Sequence, residues 1–189
     1  MTINPDQQYF LMSFRFDKKT PADFGLVSVP EQDDLFISTH DNSRWKKKEL
    51  YDFGWGNENG FVRQPELGFD ALWYLLSNSE IQENEYGAAS ELLERFPENL
   101  LDTVEQFLGH GDRNLEPKQK KALMILKLDQ ATNRSPIIGK SYAQISQDFA
   151  RWEAVSQKVT ALKNLPSAIQ SSQTKTPSTR DKRPWWKFW

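Results

Sequence analysis

The feature that most constrains this chain is a change of hydrophobic period at residue 65. Before it, apolar residues alternate with polar ones or come in short bursts bounded by Pro, Asp and Asn; after it they recur every three and four residues. The first pattern suits strands and the second suits helices with one apolar face. Strands followed by helices, rather than alternating with them, give an α+β chain.

In the first part, QQYFLMSFRF (7–16) interleaves Phe10, Met12, Phe14 and Phe16 with Tyr9, Leu11, Ser13 and Arg15, which predicts a mostly buried strand. FGLVSV (24–29) and DLFISTH (34–40) predict two more, joined by turns at Thr20-Pro21 and Pro30-Glu31. Asn42-Ser43 offers an N-cap for a short basic helix over SRWKKKELYDF, ending at Gly54, and WGNENGF reads as a tight turn.

In the second part, Leu67, Ala71, Leu72, Leu75 and Leu76 predict a helix over 65–77. Ser79 with Gln82 resembles a capping box opening a second helix, with Tyr86, Ala89, Leu92, Leu93 and Phe96 as its stripe. Pro97 begins a third, carrying Leu100, Leu101, Val104, Phe107 and Leu108 and closed by Gly109. Pro117 begins a fourth with Ala122, Leu123, Ile125, Leu126 and Leu128. The last and longest has Tyr142, Ile145, Phe149, Trp152, Val155, Val159 and Leu162 on one stripe and ends before Pro166; such a stripe is core or a partner seam. The expectation is a small N-terminal antiparallel sheet packed on a mainly helical bundle of about five helices, one domain over 1–165 with a β-rich part (1–63) and a helical part (64–165).

Beyond it, 166–182 is rich in Ser, Gln, Thr and Lys and predicts a flexible linker. The chain then reads RPWWKFW (183–189), an aromatic and basic terminal motif in which Trp185, Trp186, Phe188 and Trp189 stand among Lys182, Arg183 and Lys187. Tryptophans with cations suit an anionic membrane interface, and equally a hot-spot peptide inserted into a partner groove. Folding back onto the domain is a third state, and stacking on single-stranded nucleic acid a fourth, against which the acidic body argues.

The net charge of -2 hides a division: residues 1–154 carry 17 Lys/Arg against 25 Asp/Glu, whereas 155–189 carry seven against one. Residues 64–116 hold twelve acids and two bases, Arg95 and Arg113. Glu91, Glu94, Glu98, Asp102 and Glu105 follow at steps of three and four, which predicts an acidic ridge opposite the leucines, with no nearby lysine in sequence to relieve it. A single-sign field of this kind steers a basic protein partner, and the basic tail is a candidate to rest against it.

The absence of cysteine excludes disulfides, thiolate metal sites and cysteine nucleophiles. The two histidines, His40 and His110, have no second His or Cys at ligand spacing, and they read as turn residues. DFG at 23–25 and 52–54 lacks the glycine-rich loop, strand lysine and catalytic loop a kinase needs, and no Walker loop, nucleophile elbow or dinucleotide fingerprint is present. The expectation is therefore no enzymatic activity, metal or cofactor. MTINPDQQYF lacks a signal-peptide pattern and no apolar run approaches spanning length, so the expected location is cytoplasmic, with peripheral attachment at the inner membrane if the terminal motif anchors there.

The segment 84–108, through YGAASELL followed by FPENLL, resembles the paired helices of HEAT-like bacterial proteins, some of which are immunity proteins. That resemblance implies a non-catalytic inhibitor covering a basic partner, such as a toxin, with an acidic helical face. The functional expectation is a protein-binding protein of this kind; the alternatives are a peripheral membrane adaptor held by RPWWKFW and an unrecognised hydrolase.

Overall fold

The computed structural model describes residues 4, 6–12, 20–52, 54, 56–109 and 115–164. They form an α+β fold: five antiparallel strands, β1 (Tyr9–Leu11), β2 (Leu26–Val29), β3 (Gln32–Ser38), β4 (Arg44–Asp52) and β5 (Asn57–Arg63), precede five helices. The helices are α1 (Phe69–Asn78), α2 (Gln82–Arg95), α3 (Pro97–Gly109), α4 (Pro117–Ile125) and α5 (Tyr142–Asn164). His110, the linker 166–182 and the terminal motif 183–189 lie outside the described residues.

The strand order is β1-β5-β4-β3-β2. Pro30 and Glu31 make the tight β2–β3 turn, and Glu31 takes a left-handed φ of 65° there. Two expectations are corrected in the centre of the sheet. The basic helix expected over 43–53 is β4, a strand paired on both sides, Phe36 with Trp45 and Lys47 with Phe61. Ser43 is not a helix cap: its hydroxyl donates to Asp41 at 2.6 Å and accepts the Trp45 indole N–H at 2.8 Å. The turn expected in WGNENGF is largely β5. Its Gly60 lies where a side chain cannot: a Cβ there would meet Leu50 Cδ1 at 2.6 Å and Leu11 Cδ2 at 2.9 Å.

The alternation of strand side chains gives the sheet two buried faces. One carries Phe10, Leu26, Trp45 and Phe61, onto which Phe24 folds from a short turn over Pro21–Phe24; the Phe10 and Phe24 rings lie 4.9 Å apart. The other carries Tyr9, Leu11, Leu50 and Val62 against Leu72, Leu76, Ala88, Leu92, Leu100, Val104 and Leu123 from the helices. Each fully buried Leu or Phe adds roughly 1.5–3 kcal/mol of transfer free energy.

α2 is the element that locks helices to sheet. It crosses β1 closely because Gly87 faces Tyr9. Its first turn also covers the open edge of β1. Asn84 Oδ1 accepts the backbone N–H groups of Gln8 (2.8 Å) and Tyr9 (3.2 Å), and Glu83 Oε1 accepts that of Leu11 (2.8 Å). Side chains thus satisfy an edge that a further strand would otherwise pair.

Candidate functional site

The five acids of the expected ridge do not form a free single-sign face. Glu91 is wholly buried, the opposite of an outer-face position, and ion-pairs with Lys48 of β4 (2.8 Å) and with Arg95 one turn on (2.6 Å). Glu94 shares Lys48 at 2.9 Å. Glu98 pairs with Lys140 at 2.6 Å, while Asp102 and Glu105 both hold Arg151, at 2.7 and 2.5 Å. All five have a cation partner, so a basic tail resting on this ridge would meet acids already engaged.

Apart from Arg95, the partners were illegible in sequence because they come from far along the chain: Lys48 lies 43 residues before Glu91, and Arg151 lies 49 after Asp102. Their arrangement builds a seam. Lys140, in the loop before α5, bridges Glu98 of α3 and Asp148 of α5 (2.7 Å), and Arg151 ties α5 to α3 one turn further along. The acids hold Arg151 above the usual guanidinium range, mainly through the hydrogen bonds it donates to Glu105 and Asp102. Lys140 is held above the usual ammonium range by Asp148 and Glu98. Among the described residues the seam keeps an excess of acid, because Glu98, Asp102, Glu105 and Asp148 share two cations there.

The α5 stripe is core over half its length. Trp152, Val155, Val159 and Leu162 are buried, and Trp152 donates its indole N–H to Ser135 Oγ at 3.0 Å. In the first half the stripe leaves the core: Tyr142 is 86% and Phe149 41% exposed, with Ile145 half-buried. Tyr142, Ile145 and Phe149 stand three and four residues apart and so share one flank of the helix. Ile137 and Ile138, immediately before it, are 59% and 95% exposed. Pinned by the ionic seam on one side, this half-helix is an apolar flank in water.

Two grooves lie among the described residues. One, of about 460 Å³, runs between β4, α2 and the end of α4 and includes Tyr51, Leu93, Lys127 and Arg134. The other, of about 420 Å³, has Trp73, Tyr74 and Phe107 between α1 and α3. His40 is exposed on the β3–β4 turn, and among the described residues no three His, Cys, Asp or Glu side chains cluster as metal ligands. Among the same residues no helix is long and apolar enough to cross a membrane.

No family model, curated protein or solved structure matches the chain.

Proposed function

We propose that this chain is a non-catalytic binding protein that presents the first half of α5 to a basic protein partner. One observation carries the reading: Tyr142 and Phe149 line the exposed flank of a helix whose other side is ionically fixed to α3. A rigid, pre-formed apolar flank binds without the ordering cost a loop would incur, and an exposed aromatic cluster of this kind is a recurrent mark of an interface. The acid excess of the adjoining seam favours a partner with cations around its apolar centre. An inhibitor or immunity role, the form of binding implied by the resemblance of 84–108, is compatible with such a surface and rests on that resemblance.

A photo-crosslinking residue in place of Tyr142 or Phe149, in cells of the natural host, tests it. The expected result is one discrete adduct from these two positions, absent when the same residue replaces Val27 on the sheet edge and weakened by Glu98→Lys with Asp102→Lys. The same diffuse pattern from all three positions would sink the reading. Co-sedimentation of the protein with anionic vesicles, lost on deleting 183–189, would replace it with the membrane-adaptor reading.

A further inference from the structure

We propose that the groove between α1, α3 and the start of α4 binds a small quaternary ammonium compound, its methyl groups against Trp73, Tyr74 and Phe107 and its charge facing Asp70 and Glu116. The groove runs along one strip of α1. Asp70, Trp73, Tyr74, Ser77 and Asn78 all line it, and their three- and four-residue spacings place them on one side of the helix. From α3, Phe107 meets Trp73: the two rings lie 6.1 Å apart at 84°, an edge-to-face corner in the wall. Tyr74 carries the aromatic surface outward and is 68% exposed.

Charge decides what such a wall can hold. The groove is lined by two carboxylates, Asp70 and Glu116, and by one cation, Lys118. That cation is already engaged, since its ammonium donates to Glu80 at 2.7 Å. Lys121, one turn along α4, is likewise held by Glu85 at 2.6 Å. Asp70 is exposed at the start of α1 and has no hydrogen bond or ion pair among the described residues. Glu116 caps α4: its carboxylate accepts the Gln119 N–H, while Gln119 Oε1 accepts the Glu116 N–H at 2.9 Å. One accepted bond leaves a carboxylate with capacity for further partners. The groove therefore keeps a negative field beside its rings.

Aromatic rings with acids select a particular kind of ligand. An anion is repelled by the carboxylates, and a neutral apolar molecule would shield them from water without supplying a counter-charge. A hard metal ion asks for several oxygen ligands and gains nothing from rings. A quaternary ammonium group satisfies both parts of the wall: its charge is spread over methyl groups that pack on the ring faces of Trp, Tyr and Phe, which attract cations, and the same charge answers the acids. The volume of about 420 Å³ is within the range of small-molecule sites, and the mixture of an apolar wall with a few polar groups is their usual composition.

The test titrates the full chain, labelled with nitrogen-15, with choline, with its neutral carbon analogue dimethylbutanol and with ethanolamine, which keeps the charge and lacks the methyl groups. The readout is the Trp73 indole N–H resonance, assigned by its loss in Trp73→Phe. The expected result is a saturable shift with choline and binding at least about tenfold weaker for both comparison compounds. Tyr74 and Asp70 are exposed, so their variants keep the fold. Tyr74→Ala should weaken choline by about three- to thirtyfold, the worth of one cation–π contact, and Asp70→Asn by about two- to fivefold. No saturable shift with choline, or equal affinity for choline and dimethylbutanol, would overturn the proposal, as would unchanged choline binding in Tyr74→Ala. Ethanolamine binding as tightly as choline would overturn the role given to the rings.

Discussion

The ammonium of Lys48 on β4 lies 2.8 Å from the carboxylate of Glu91, whose side chain on α2 is wholly buried. This pair joins sheet to helices through charge beside a core made mainly of aliphatic and aromatic side chains. Its two ends are not equivalent. Lys48 also reaches Glu94 at 2.9 Å, and Arg95, the other cation on Glu91, also reaches Glu66 at 3.4 Å. Removing Glu91 therefore leaves both cations with other acids, whereas removing Lys48 leaves a buried carboxylate with Arg95 alone. Lys48→Met is expected to destabilise by about 3 kcal/mol, the lower end for breaking a buried pair, and Glu91→Gln by about 1–2 kcal/mol. Urea unfolding midpoints of the two variants check the order, and a larger loss in Glu91→Gln would refute the asymmetry.

Gly87 gives a sharper case. An alanine in a helix interior usually gains up to about 1 kcal/mol over glycine. Here the added methyl would sit 2.1 Å from Tyr9 Cγ and 2.3 Å from Cδ1, in a fully buried contact. Gly87→Ala is expected to lose about 2–3 kcal/mol through overpacking. Combining it with Tyr9→Ala should recover part of that loss, since the clash partner is gone. A Gly87→Ala variant as stable as the parent in thermal unfolding would show that α2 can lift off β1 freely.

The helices were legible because each carries a full apolar stripe between punctuating residues: Pro97 and Pro117 begin α3 and α4 as expected, and α5 runs over 142–164. The central strands were not. In β4 exposed Lys46 and Lys47 run on into half-buried Lys48, so KKK reads as a solvated helix face, and only pairing on both sides reveals that Trp45 and Leu50 point to opposite buried faces. In β5, the polar residues Asn57, Glu58 and Asn59 hide a strand whose apolar part is just Phe61 and Val62. The acidic ridge was legible as a row of charges but not as a seam, because spacing within α2 and α3 carries no information about Lys48, Lys140 and Arg151. Arg134, half-buried with no acidic partner among the described residues, left no local signal at all, since the surroundings of a guanidinium are a property of the fold.

Asp41 makes stability depend on acid in a definite window. At the β3–β4 turn its carboxylate accepts the Ser43 hydroxyl at 2.6 Å and the Ser43 N–H at 3.1 Å, and it pairs with Arg63 at 2.6 Å. The Ser43 hydroxyl above all lowers its pKa from 3.8 to about 2. A depressed carboxylate stabilises the fold above its unfolded pKa near 4 and loses that contribution as pH falls through about 2. The group is largely exposed, so the effect is small and weakened by salt. The melting-temperature gap between the parent and Asp41→Asn should be widest at neutral pH and close between pH 4 and 2; a constant gap across that range would remove Asp41 from the acid response.

The exposed half of α5 depends on the ionic seam for its rigidity. Over 152–162 the helix is held by buried Trp152, Val155, Val159 and Leu162, whereas over 142–151 its described ties to the body are chiefly Lys140 and Arg151 with their four acids. Exposed pairs contribute roughly 0.2–1 kcal/mol each, which is little for global stability but comparable to the cost of fraying two helical turns. Lys140→Gln with Arg151→Gln is therefore expected to raise amide hydrogen exchange across 145–151 by about three- to tenfold while leaving 155–162 and the unfolding midpoint nearly unchanged. Adding 0.5 M salt to the parent should move exchange in the same direction and by less, since partly buried pairs are screened incompletely. If the flank is a recognition surface, the double variant should also dissociate faster from its crosslinked partner's native complex while associating no more slowly, because the contacting residues and the acids of the seam remain and pre-organisation is lost. Unchanged exchange in the double variant would mean that the half-helix stands by its own hydrogen bonds and that the seam serves only to neutralise α3.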